Sequence, residues 1–171
     1  MKHISVDVEA DGPCPGLYSM VSFGAVVVER NLDNVFYGQT KPISDHWIPE
    51  SLAISKITRE EHKAYDSPEK VMMMFTDWLT SIDNNVVFIS DNPAFDWQFI
   101  NYYFHAYTGG NPFGHSARRI GDLYCGLTND MRNNRKWKRL RKTKHTHNPV
   151  DDAKGNAEAL LAMSEKYDLN I

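Results

Sequence analysis

Cysteine is scarce in this chain. Its 171 residues hold only Cys14 and Cys125, too few for a disulfide framework and in keeping with a reducing, cytoplasmic setting. Long apolar runs are missing as well. Segments such as Ala25–Val28 are far too short to cross a bilayer, so no membrane partner is expected. The opening MKHISVDVEADG turns acidic at once and holds no stretch that reads as a signal peptide. No repeat, low-complexity segment or linker-like run breaks the sequence. With 42% hydrophobic residues, residues 1–171 are expected to form a single domain with a core of its own. Composition thus excludes a secreted mini-protein, a membrane protein and a disordered tail.

Acidic residues are absent from the most basic region of the chain. None occurs from Met131 to Val150, where Arg132, Arg135, Lys136, Lys138, Arg139, Arg141, Lys142 and Lys144 supply eight of the 19 Lys and Arg residues. The other 11 bases face 22 acids, so a body of about −11 carries a basic arm although the net charge is only −3. Such an arm suits a polyanion, because phosphate contacts dominate affinity for nucleic acids. A solvated helix face is the alternative reading. Trp137, inside the arm, either stacks on a base or packs on the core.

Ile4, Val6 and Val8 alternate with Ser5, Asp7 and Glu9, the period of a half-buried strand. Val21–Glu29 and Val35–Lys41 read as two further strands joined by a turn at Asn31–Asn34. Short helical turns are expected over Pro49–Lys63. Ser67–Ser81 reads as a helix capped by Ser67, with Pro68 in its first turn and Met72–Met74 as core filler. Val86–Ser90 is a buried strand. Phe95–Tyr107, Asp122–Asn133 and Val150–Tyr167 read as helices. Leading strands followed by mixed elements point to a three-layer α/β/α domain with a mixed central sheet.

Chemistry concentrates in the acids. Asp7 and Glu9 sit two apart on one strand, so they share a face, roughly 6–7 Å apart by the rise per residue. A D-x-E pair alone arises roughly 0.7 times by chance in such a chain, and two exposed acids at a strand edge is the plain alternative. Two later segments repeat a pattern. In Asn92-Pro93-Ala94-Phe95-Asp96 and Asn148-Pro149-Val150-Asp151-Asp152, Asn is a good cap and Pro fits the first helical position. The last Asp of each then lies about one turn into a helix, where the dipole favours its ionised form. Simple capping accounts for each segment taken singly. His147 stands five residues before Asp152, in the basic loop, where an imidazole could take a proton from water.

In this order the segments resemble the DEDDh branch of the DEDD 3′–5′ exonuclease superfamily, which has a ribonuclease H-like fold. The matching motifs are Asp7-Val8-Glu9, Phe95-Asp96 and His147-Asn148-Pro149-Val150-Asp151-Asp152-Ala153. Ser22–Val26 is similar to the family's second strand, and Trp47–Glu61 to the helical stretch after its third. The similarity runs from Ile4 to Met163. It is nearest to the small bacterial and phage-type exoribonucleases, and more distant from oligoribonuclease and ribonuclease T. The chain departs from the family where many relatives read D-x-E-x-T-G, for here the run is Asp7-Val8-Glu9-Ala10-Asp11-Gly12. Asp91 competes with Asp96, and Asp151 with Asp152, for the third and fourth acidic positions.

The resemblance implies a metal-dependent 3′–5′ exonuclease acting on single-stranded nucleic acid with a free 3′ end, RNA favoured over DNA. Asp7, Glu9, Asp96 and Asp152 would hold two Mg²⁺ or Mn²⁺ ions, with Asp7 between them, and His147 would be the general base. Ala10, Gly12, Phe95, Arg139, Lys142 and Lys144 are the expected substrate contacts. Tyr18, Phe23, Phe95 and Tyr103 are the candidate stacking aromatics. A homodimer is a further expectation. The rival readings are a DNA-directed exonuclease, a nucleic-acid-binding module without turnover and a hydrolase of small phosphodiesters.

Overall fold

The computed structural model describes residues 1–171. Five strands form one mixed sheet in the order β3-β2-β1-β4-β5. They are β1 (Lys2–Ala10), β2 (Met20–Val27), β3 (Val35–Gln39), β4 (Val86–Ser90) and β5 (Ala117–Arg119). β1 lies at the centre, antiparallel to β2 and parallel to β4. β3 continues the hairpin outward, and β5 adds parallel to β4. The helices are α1 (Pro49–Ile54), α2 (Arg59–Lys63), α3 (Pro68–Ile82), α4 (Pro93–Tyr107), α5 (Ile120–Thr128) and α6 (Pro149–Tyr167). None is long and apolar enough to cross a membrane.

Alternation on β1 sorts its side chains between two cores. Ile4, Val6, Val8 and Ala10 join Phe75 and Leu79 of α3 and Phe99, Ile100, Tyr103 and Phe104 of α4. On the opposite face Val26, Val28 and Ile89 pack with Ile120 and Tyr124 of α5 and with Ala153, Ala157, Leu160 and Met163 of α6. The expected three-layer α/β/α architecture with a mixed sheet is therefore what forms. Ser5, on the second face, donates to the Ala153 carbonyl at 2.8 Å and ties β1 to the first turns of α6.

Several local expectations need correction. Of the three methionines only Met72 is core; Met73 and Met74 are about half exposed, since consecutive helical residues cannot share one face. The helix expected over Asp122–Asn133 ends at Thr128, because Asn129 takes a left-handed φ of 50° and two short 3-10 turns follow at Met131–Asn133 and Lys136–Leu140. Trp137 is wholly buried in the α5–α6 core, so it cannot stack on a base. Phe23 and Tyr103 are equally buried and are excluded for the same reason. β5 carries no sequence pattern of a strand.

Candidate active site

Pairing between β1 and β4 runs only from Lys2↔Val86 to Ser5↔Ile89. Beyond that point the chain after β4 turns away into α4, and a crevice opens beside the carboxyl end of β1. Open α/β sheets bind ligands at such a parting of neighbouring strands. Asp7 and Glu9 stand on β1 at this crevice. The Val8 N–H, left without a strand partner, donates to Asp96 Oδ1 at 3.2 Å. Asp96 is delivered by the first turn of α4, which Pro93 starts. Asn92 does not cap that helix with its side chain, contrary to expectation; its carbonyl instead accepts from the N–H groups of Phe95 and Asp96.

α6 brings the fourth acid from the other side. Asn148 caps it, accepting from Val150 and Asp151, and Pro149 opens it. The approach is close because β2 carries Gly24 opposite Asp7. A Cβ at Gly24 would sit 2.4 Å from the Pro149 backbone, so any side chain there would push α6 outward. Asp152 is almost wholly buried and gathers the preceding loop around itself. Its Oδ1 accepts from Thr146 N–H at 3.2 Å and its Oδ2 from His147 N–H at 3.1 Å. His145 Nδ1 lies 2.7 Å from Oδ1. His147 holds a left-handed φ of 59°, which turns its half-exposed ring back toward β1, with Nδ1 3.6 Å from Glu9 Oε1.

The structure thus brings Asp7, Glu9 and Asp152 together, each offering an oxygen within 4.8 Å of the others. Asp96 stands outside that trio, yet its charge is felt by both Asp7 and Glu9. Asp91 and Asp151 are drawn elsewhere. Asp91 pairs with Lys138 at 2.5 Å, and Asp151 accepts from the Thr146 hydroxyl at 3.0 Å.

Like charges in a half-closed cleft oppose ionisation. Burial, then the neighbouring Asp96, Asp152 and Glu9, hold the Asp7 carboxyl well above the usual range. Burial, then Asp152 and Asp96, push Glu9 up to about 7. Burial also carries Asp96 to about 7, outweighing the Val8 N–H and the helix N-terminus that favour its anion. The helix-dipole expectation of a firmly ionised Asp96 is therefore reversed. A cluster of oxygen donors short of positive charge is the setting that hard divalent cations fit, because they supply the charge and prefer carboxylate ligands.

The expected substrate contacts divide. Ala10, Gly12 and Phe95 line one pocket of about 340 Å³ with Glu9, closed on its far side by Ile48, Ser51 and Ile54. Gly12 is required there, since a Cβ would meet the Tyr18 ring at 2.1 Å. Lys142 and Lys144 are exposed on the loop leading to His147. Arg139 is engaged by the Tyr124 hydroxyl at 3.0 Å.

Other residues of the site escaped sequence reasoning. Asp11 is buried and pairs with Arg59 Nη1 at 2.6 Å, with His62 beside them. Its carbonyl accepts from Ile48 N–H at 2.8 Å, which fixes the pocket's far wall to the strand end. Arg141 stacks on Trp137, 4.9 Å from the ring centre, and is the one cation that favours the Asp7 anion. Asp11 and Arg59 lie 48 residues apart with no motif linking them, whereas His145, also passed over, stands in a His-x-His spacing that could have flagged it.

The exonuclease family model matches residues 4–160. Cap18, a 3′–5′ DNA exonuclease of Escherichia coli, is 43% identical over 129 residues, 73% of this chain and 68% of that protein. The nuclease domain of 3′hExo, a DEDDh family member solved with rAMP, superposes with a TM-score of 0.78 at 16% identity, over 99% of this chain and 95% of that one. Cell-death related nuclease 4 gives a TM-score of 0.76 at 15% identity, over 96% of this chain and 64% of its own. The two structures share the fold. With the family match spanning nearly the whole chain and a relative this similar, the chain is a nuclease that belongs to the exonuclease family.

Proposed function

We propose that residues 1–171 act as one unit that removes nucleotides from the 3′ end of single-stranded nucleic acid and releases nucleoside 5′-monophosphates. The observation that supports this most is the meeting of Asp7, Glu9 and Asp152 within 4.8 Å, with His147 at 3.6 Å from Glu9. These acids, with Asp96, would hold two Mg²⁺ or Mn²⁺ ions. When bound, such a pair stabilises charge on both the attacking and the leaving oxygen. The chain's own residues do the rest. His147 accepts the proton of the attacking water and, being half exposed, passes it to solvent. Asp152 orients the His147 backbone through the 3.1 Å hydrogen bond. The pocket walled by Ala10, Phe95, Ile48 and Ile54 takes the terminal base and sugar beside Glu9. Lys142 and Lys144 meet the incoming phosphates.

DNA is the strand we favour, because the 43% identical relative is named a DNA exonuclease. RNA is the second reading. It draws on the motif resemblance to exoribonucleases and on the similar nuclease domain solved with rAMP. A 5′-labelled DNA oligomer and an RNA oligomer of the same sequence, digested in Mg²⁺ and in Mn²⁺, decide between them. The expected result is a descending ladder, faster on DNA. Asp7→Ala abolishes it, and His147→Ala lowers turnover at least about 100-fold while oligomer binding persists. Equal ladders from wild type and Asp7→Ala would refute the assigned site.

A further inference from the structure

We propose that His145, His147 and Asp152 form a second, overlapping site for one zinc ion, which shuts the enzyme off. The three offer two imidazole nitrogens and one carboxylate oxygen, all within 4.8 Å of one another. This donor set differs in kind from the all-oxygen cluster of Asp7, Glu9 and Asp152. Imidazole ligands suit zinc, whereas Mg²⁺ takes oxygen. A tetrahedral zinc ion with bonds of about 2.0–2.1 Å needs its ligands roughly 3.3 Å apart.

The loop is already bent to that purpose. His145 Nδ1 stands 2.7 Å from Asp152 Oδ1, and the His145 and His147 rings meet edge to face with centres 4.3 Å apart. The intervening Thr146 turns away, its hydroxyl donating to Asp151. Both backbone donors on Asp152, from Thr146 and His147, lock the carboxylate between the rings. Each ring is about half exposed, with side chains 54% and 45% accessible, so a small rotation completes the site and leaves the fourth position to water.

Occupancy removes two groups from the reaction at once. His147 can no longer accept a proton, and Asp152 is shared away from the oxygen cluster. Only this inhibitory consequence rests on the functional reading above; the metal site does not.

The test uses Co²⁺, which reports tetrahedral nitrogen ligation by intense visible absorption, added to the full chain in excess Mg²⁺. Wild type and Asp7→Ala should develop the band at one ion per chain and lose it on adding Zn²⁺. His145→Ala and His145→Gln should not develop it, the glutamine variant keeping a hydrogen-bond donor to Asp152 without the zinc ligand. With each variant's turnover normalised to its own zinc-free rate, both should need at least about tenfold more Zn²⁺ for half inhibition, since loss of even an outer partner costs that much affinity. A band that persists in both variants, a wild type without one, or equal zinc inhibition throughout would overturn the proposal. A His145-dependent band in a chain without turnover in Mg²⁺ would uphold the site and sink the exonuclease reading.

Discussion

Single carboxylates already couple stability to pH here. Glu9 and Asp96 are both pushed up to about 7 in the folded chain, and Asp7 is raised as well. In the unfolded chain these groups titrate near 4, so between about pH 4.5 and 7 the folded state binds more protons. Stability of the metal-free protein therefore falls as pH rises through that window. Thermal unfolding in chelator should show a higher Tm at pH 5.5 than at pH 8. Mg²⁺ should raise Tm more at pH 8 than at pH 5.5, because cation and proton compensate the same charge. A Tm that climbs from pH 5.5 to 8 in chelator would contradict this account. At this scale the sequence was informative about which residues meet, because D-x-E periodicity and two Asn-Pro helix starts each place an acid at an element's end. It was silent about their ionisation, which depends on burial and on neighbours distant in the chain. It was equally silent about Asp11, whose tie to Arg59 has no local signature.

Between elements, the contact that decides the site is α6 against β2 at Gly24. Gly24→Ala places a methyl 2.4 Å from the Pro149 backbone, where no flexible side chain can give way. Relief requires the start of α6 to shift, and Asp152 and the loop around it shift too. The expected cost is about 1–3 kcal/mol in urea unfolding, as for other overpacked cores, with turnover falling more steeply than oligomer binding. Unchanged stability and turnover would show that α6 seats itself by other means. Elements with strong periodicity were legible: β4 lies over the expected Val86–Ser90, and Ser67 caps α3 by accepting from Lys70. β5 was not, since Ala117-Arg118-Arg119 has no alternation and is recognised as a strand only by its pairing with β4. α5 was overextended because its stop, the left-handed Asn129, was passed over as a helical residue.

Across the whole molecule the charge division persists in three dimensions. Some of the basic arm is spent internally, as Lys138 pairs with Asp91 and Arg141 stacks on the buried Trp137. Arg135, Lys136, Lys142 and Lys144 stay exposed. Oligomer binding should weaken with salt, and Lys142→Ala and Lys144→Ala should each reduce the slope of log K against log salt by about 0.7, the value for one single-strand phosphate contact. Unaltered slopes measured by fluorescence anisotropy would place the strand elsewhere. The Asp11 carbonyl anchors Ile48 at the head of α1. That tether hangs a small helix over the pocket proposed for the terminal nucleotide, while the acids themselves stand on β1, α4 and α6. On the proposed assignment, changes at Ile48, Ser51 or Ile54 alter base preference while leaving the acids in place. An ancestral scaffold of this design could acquire new substrates one wall residue at a time.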